Sequence, residues 1–487
     1  MTIGVAFAMN TTDSNACHPD FNKMTAGVCK PIFDFFTRSF EIRKILKESG
    51  ITKQNGYSAF EIFMYLIILP FISKNIYREF VINKNRPIQK DAIYTFLKNP
   101  SYNWDSLILK LSSRAFIFIR GLTNKMRLTA LVVDDTILEK SRSRFLELLA
   151  RVFDHVTGRH LRGFRYLTLG WTDGQTFLPL QGRCLSSANA SSRIIGVKKV
   201  LNSRSNGAKR RQEAQTPAPD VVLRMVKDAL AAGIHATALV FDSWFTTPPL
   251  VAAIAQMIPV IGMTKISPNL CYWYNGEKKC AASIYRSLKV RAKKRAVIAS
   301  IIVRFGRSYE TAIPVKLLFV RNRNDQGWLT IISTNTKLSD ETIIKLYSLR
   351  WDIETFHRDI KQFLQFEKGC QSTDYDAISA HCTIVMARYI FLAIEKRRND
   401  DPKTLGLLFH ACCEDIKEHN FEEAMNLILN NIIAAAEDAK RNNIDIVEAI
   451  KKVCDQTHEE GISAIYYSFT RVQLGLTDGK PASAVGF

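Results

Sequence analysis

The chain has 487 residues, 47% of them hydrophobic, with 67 Lys plus Arg against 46 Asp plus Glu, a formal charge of +21 and a pI near 9.5. This length and apolar content suit a large globular core with several structural units and exclude a disordered chain. The basic excess makes a polyanion the expected partner, nucleic acid first, because the charges are scattered through periodic segments and do not form the basic amphipathic helix that a membrane surface selects.

No N-terminal stretch combines the basic, apolar and small-residue regions of a signal peptide, so a cytoplasmic protein is expected. Ten cysteines without a CxxC pair read as reduced core thiols. The longest apolar run, Ile62 to Ile72, is too short to span a bilayer and contains Pro70, so it reads as a buried helix and no membrane contact is expected.

In chain order, residues 30 to about 120 carry helical periodicity broken by Gly, Asn and Pro. From Leu128 the pattern changes. "LTALVVDDT" is a short apolar run ending in acids, and "FRYLTLGW" and "TFLPLQGRCLS" flank "TDG", a hairpin signal. A basic segment at 202–220 lacks an apolar period and reads as a loop. The helix "VVLRMVKDALAAG" then leads to the buried strand "ATALVFDSW", a further helix and the strand "VIGMTKI". This order predicts a mixed sheet with helices on its faces. Strand patterns between about 267 and 335 interrupt that layout, and a helix then resumes it. The C-terminal residues are helical, with a polar tail from about 470. The predicted divisions are a helical N-terminal DNA-binding domain (1–122), a first core part (123–266), a β insertion (267–335), a second core part (336–400) and a helical C-terminal region (401–487).

Within "YSLRWDIETFHRDIK" (347–361), a helical turn of roughly 100° per residue gathers Tyr347, Arg350, Glu354 and Lys361 into an arc of about 60°, joined by Arg358. Leu349, Ile353, Phe356, Ile360 and Phe363 form an apolar stripe on the far side. One carboxylate among two arginines, a lysine and a phenol points to an anionic ligand, with the acid bridged to it by a metal. The alternative is a surface helix whose charges pair at i,i+4. Two predicted strands end in aspartate, Asp134 with Asp135 and Asp242. If they are neighbours, their carboxylates and Glu354 make an oxygen-only site of the kind that holds magnesium for phosphoryl transfer. Taken singly, each Asp reads more readily as a turn or helix cap, and the combination with the helical face is what points to catalysis.

The spacing of Tyr347, Arg350, Glu354 and Lys361 resembles the Y-R-E-K signature of bacterial DDE transposases of insertion sequence family four, and with the upstream acids the resemblance covers about 128–395. It implies a ribonuclease-H-like α/β core with a β insertion before the glutamate, flanked by helical N- and C-terminal domains. It also implies excision of a transposon at its inverted terminal repeats and insertion into target DNA. Two Mg²⁺ or Mn²⁺ ions would serve each active site. The partner would be double-stranded DNA, bound by a homodimer, in the nucleoid of a bacterial cytoplasm.

Carried over by position, the resemblance makes Asp242 and Glu354 catalytic metal ligands. The first acid is Asp134 or Asp135; the pattern Asp, one residue, Thr favours Asp134, and alternation along a strand leaves only one facing the metals. Arg350 and Lys361 become phosphate contacts and Tyr347 a phosphate or positioning contact. Trp328 resembles a family tryptophan that stacks on a base flipped from the DNA end; a tryptophan buried in its strand is the alternative. His357 lies at the edge of the functional face, suited to a phosphate contact or a structural hydrogen bond. Trp244 and Trp351 are expected to pack. The basic segments 202–220 and 289–295 are candidate DNA backbone contacts or solvated loops. A stand-alone metal-dependent nuclease and a catalytically inactive DNA-binding protein on the same scaffold are the alternative functions.

Overall fold

The computed structural model describes residues 29–72, 76, 88–124, 126–155, 157–288, 296–321, 327–399, 404–441, 445–449 and 451. The chain divides into two compact units, one of residues 34–83 and 88–411, the other of 1–33, 84–87 and 412–487, whose described structure is helical.

The N-terminal helices are α1 (Cys29–Ser39), α2 (Ile42–Glu48), α3 (Ala59–Ile68), α4 (Lys90–Leu97) and α5 (Trp104–Leu122). α3 starts with a capping box, in which Glu61 N–H donates to Ser58 Oγ at 3.2 Å and Ser58 N–H to Glu61 Oε2 at 2.6 Å. Its apolar run is buried as predicted, and Pro70 follows its end. α5 buries Leu107, Ile108, Leu111, Ala115, Phe116 and Ile119, a spacing of three and four that faces one side.

The strands are β1 (Ala130–Glu139), β2 (Ala150–Asp154), β3 (Arg159–Thr172), β4 (Phe177–Leu185), β5 (Ala238–Phe241), β6 (Val260–Thr264), β7 (Cys271–Tyr274), β8 (Glu277–Cys280), β9 (Val297–Phe305), β10 (Ile313–Arg321) and β11 (Trp328–Ser333). They form one sheet in the order β2-β3-β1-β5-β6-β11-β10-β9-β7-β8, with β4 also paired to β3. The stretch β4-β3-β1-β5-β6 is an antiparallel meander whose first strand runs parallel to β5 and β6, the ribonuclease-H-like order. The insertion strands extend this sheet, because β11 pairs antiparallel with β6. The β3–β4 hairpin turns at Gly174, whose φ of +80° suits a residue without Cβ.

The remaining helices are α6 (Asn206–Glu213), α7 (Ala218–Ala231), α8 (Pro248–Ala255), α9 (Ala281–Ser287), α10 (Asp340–Ser348), α11 (Trp351–Gln362), α12 (Tyr375–Arg398) and α13 (Leu405–Arg441). α12 is long and apolar enough to cross a membrane, yet it is the central helix of this unit and buried from Tyr375 to Glu395. Its Arg388 is satisfied inside by the Leu66 and Leu364 carbonyls.

Two predicted elements differ. The helix read across 347–361 is two helices: Leu349 N–H and Arg350 N–H bond to Leu346 and Tyr347 carbonyls at 3.2 and 3.1 Å, an i→i−3 pattern that tightens the chain between α10 and α11. The basic segment 202–220 is not a loop but contains α6, whose Arg210 and Arg211 are buried. Arg211 is held by Glu147 at 2.7 Å and Arg210 by Asp376 at 2.6 Å, so neither is offered to DNA. Residues 289–295 lie outside the described residues.

Candidate active site

The first acids arise where a buried strand runs out of core. Ala130 to Val133 are at most 1% exposed, and the last β1–β5 pair is Val133 with Phe241. Asp134 and Asp242 are therefore the next residues on neighbouring parallel strands, which lie roughly 4.8 Å apart. Alternation sends the two adjacent aspartates to opposite faces. Asp134 stands opposite Thr168 in β3, and His357 of α11 meets Thr168 at 3.2 Å, so Asp134 shares the face covered by α11. Thr172 on the same face donates to Asp352 of α11 at 2.5 Å. Asp135 faces away: Arg165 Nε and Nη2 donate to its two oxygens at 2.5 and 2.7 Å, a bidentate pair.

Arg350, at the start of α11, connects the acids. Its Nη2 lies 2.6 Å from Glu354 Oε1 and its Nη1 3.7 Å from Asp134 Oδ2. Asp242 caps its own turn, accepting from Trp244 N–H at 2.9 Å. Burial pushes the Asp134 carboxyl up to about 7, with the neighbouring charges of Asp135 and Asp242 adding to it and Arg350 opposing it. Burial likewise raises Asp242, and Asp135 adds to the rise.

These carboxylates supply oxygen donors of the type a hard divalent cation takes, and Asp134 and Asp242 stay raised despite the Arg350 charge beside them, so a bound cation would add the positive charge that favours their ionised forms. Among the described residues no group of three such ligands is drawn into a finished metal cage, and Arg350 stands between Asp134 and Glu354.

The other anticipated residues are distributed unevenly. Tyr347, in the last turn of α10, has its ring centroid 5.9 Å from the Arg350 guanidinium carbon. Lys361 lies 3.5 Å from Glu367, and Arg358 is exposed, with Asp359 at 3.7 Å. Of the two readings of His357 the structural hydrogen bond fits and the phosphate contact does not: it is buried, burial lowers its pKa to about 3, and its ring meets Thr168. Trp328 is half-buried, stacked on Tyr285 at 4.9 Å with Phe319 edge-on at 5.0 Å. Trp244 and Trp351 do not pack as expected but are 45% and 64% exposed. Arg165 escaped sequence reading, since nothing local marks it as the partner of Asp135.

The first strand does not end in aspartate as expected, since β1 continues to Glu139 paired with β3, but a ribonuclease-H-like sheet with one acid within its first core strand, one just past its fourth and a third on a covering helix is the arrangement of nucleic-acid phosphoryl-transfer domains. Comparison with protein families agrees: residues 81–285 match the DDE superfamily endonuclease and residues 208–391 the transposase DDE domain. The chain is thus similar over these stretches to DDE endonuclease and transposase domains, a class that generally depends on divalent metal, and the similarity supports a transposase function. No curated protein matches the chain.

Proposed function

We propose that this chain is a DNA transposase of the insertion sequence family four type, cutting an insertion sequence at its terminal inverted repeats and joining it to target DNA. The observation that carries this reading is the link from Asp134 through Arg350 to Glu354, with Asp242 on the adjacent strand. Asp134, Asp242 and Glu354 would hold Mg²⁺ or Mn²⁺, which when bound supplies water activation and stabilisation of the leaving oxygen. Asp134 serves as the first acid because both oxygens of Asp135 are engaged by Arg165. Arg350 and Lys361 bind phosphates beside the cut, Tyr347 positions Arg350, and exposed Arg358 follows the DNA backbone. Trp328 and Tyr285 offer a stacked aromatic surface for a base extruded from the DNA end.

In this reading, hydrolysis of one strand frees a 3′ hydroxyl, which attacks the opposite strand to form a hairpin. Hydrolysis reopens it, and the same hydroxyl then attacks target DNA. Two copies of the chain bring two ends together. The test uses a plasmid carrying the coding element with its flanking DNA, plus a pre-cut end with a target plasmid. The wild type cuts the first and joins the second, whereas Glu354→Gln loses both by at least about 10²-fold. The match to an endonuclease family favours one second reading, a stand-alone nuclease, which would cut without joining. Full activity in Glu354→Gln would overturn the site.

A further inference from the structure

Beside Asp242 the surface turns aromatic and basic beyond what the cutting chemistry uses. Trp244 N–H is bonded to the Asp242 carboxylate, so its backbone is tied to the acid, yet nearly half of the residue is exposed. The Arg165 guanidinium lies 5.0 Å and the Lys265 ammonium 4.8 Å from its ring. His155, in the turn joining β2 to β3, is 5.8 Å from the same ring. Phe153, 43% exposed, lies edge-on to His155 at 4.9 Å and to His160 at 5.1 Å.

Farther along this hairpin, Arg151 stands directly opposite Arg162. Like charges in that position destabilise a two-stranded ribbon, so the pair makes physical sense facing an anion. Among the described residues, no carboxylate lies within ion-pair distance of Arg151, Arg162 or Lys265. The Arg151 guanidinium donates to the Ser191 carbonyl at 3.3 Å, and rings interleaved with cations that have no carboxylate partner are the composition that takes a nucleic-acid strand whose base faces are free, bases on the rings and phosphates on the cations. A duplex hides those faces in its own stack.

We infer that the stripe from Arg151, Phe153 and His155 to Trp244 and Lys265 is a binding surface for an unpaired DNA strand leading to Asp242. The inference rests on the reading of that site as one that cuts DNA. The surface would hold a strand opened beside the cut and so favour melted ends over intact duplex.

The test is fluorescence anisotropy in EDTA with two probes of equal length, a blunt duplex and a fork whose arms are unpaired for ~10 nucleotides. The wild type binds the fork at least about 5-fold tighter, the low end of what one stacked base contributes. Trp244→Ala and Phe153→Ala each bind the two probes alike, and Trp244→Phe keeps part of the preference. Thermal melting establishes that each variant is folded, and Phe153→Ala carries the test if Trp244→Ala is not. A wild type without preference, or folded alanine variants that retain all of it, overturns the inference. The same fork incubated with wild type and Mg²⁺ separates the two proposals: absence of cutting counts against the active-site reading and leaves the binding result standing.

Discussion

Asp134 pays for its position with buried charge. Its carboxyl sits at about 7 in the folded chain, whereas an unfolded aspartate ionises near 3.9. Between those values the folded chain binds more protons than the unfolded one, so this group lowers stability as pH rises from about 4 to 7. Asp134→Asn is therefore expected to be more stable than wild type at pH 8, by on the order of 2 kcal/mol in urea denaturation without metal, and to lose that advantage below about pH 4. An unchanged difference across this range would place the raised carboxyl elsewhere. Sequence alternation foretold that only one of Asp134 and Asp135 faces the site. It could not say which, because the deciding partner, Arg165, lies 30 residues away.

At the scale of elements, α11 was readable for its apolar side: Ile353, Phe356 and Ile360 are fully buried as their spacing demands. Its separation from α10 was not, since no Gly or Pro marks Leu349 and Arg350. The segment around α6 read as a loop because its buried contacts are ionic rather than apolar, made with Glu147 and Asp376 at separations of 64 and 166 residues. Two helices also bury histidines. His357 in α11 and His381 in α12 are both lowered by burial to about 3, while an unfolded histidine titrates near 6.5. As pH falls below about 6.5, the unfolded chain takes up protons that the folded chain refuses, and stability falls. Each histidine contributes up to about 1.4 kcal/mol per pH unit in that window. The variants His357→Gln and His381→Gln should each flatten the stability curve between pH 6.5 and 4, as followed by urea titration at each pH. Curves parallel to wild type would contradict the burial argument.

Across the whole molecule, alternation of strand and helix patterns made the mixed core legible, together with the β-rich interruption before the glutamate. That the insertion strands prolong the core sheet was not legible, because the β6–β11 pairing joins strands with no local signal of each other. The charge of +21 belongs to this scale. Binding to duplex DNA should fall about 10³- to 10⁵-fold between 50 and 200 mM salt, the loss typical of 6–10 phosphate contacts. Affinity that hardly changes with salt would remove DNA as the partner that explains the charge.

The central claim is that Asp134, Asp242 and Glu354 share bound divalent metal. Replacing that metal with Fe²⁺ in the presence of DNA, then adding ascorbate and peroxide, cuts the polypeptide where iron is held. The expected fragments end near residues 134, 242 and 354 in one sample, and Mg²⁺ competes all three away together. Cuts confined to one of these segments, or centred elsewhere, would contradict it.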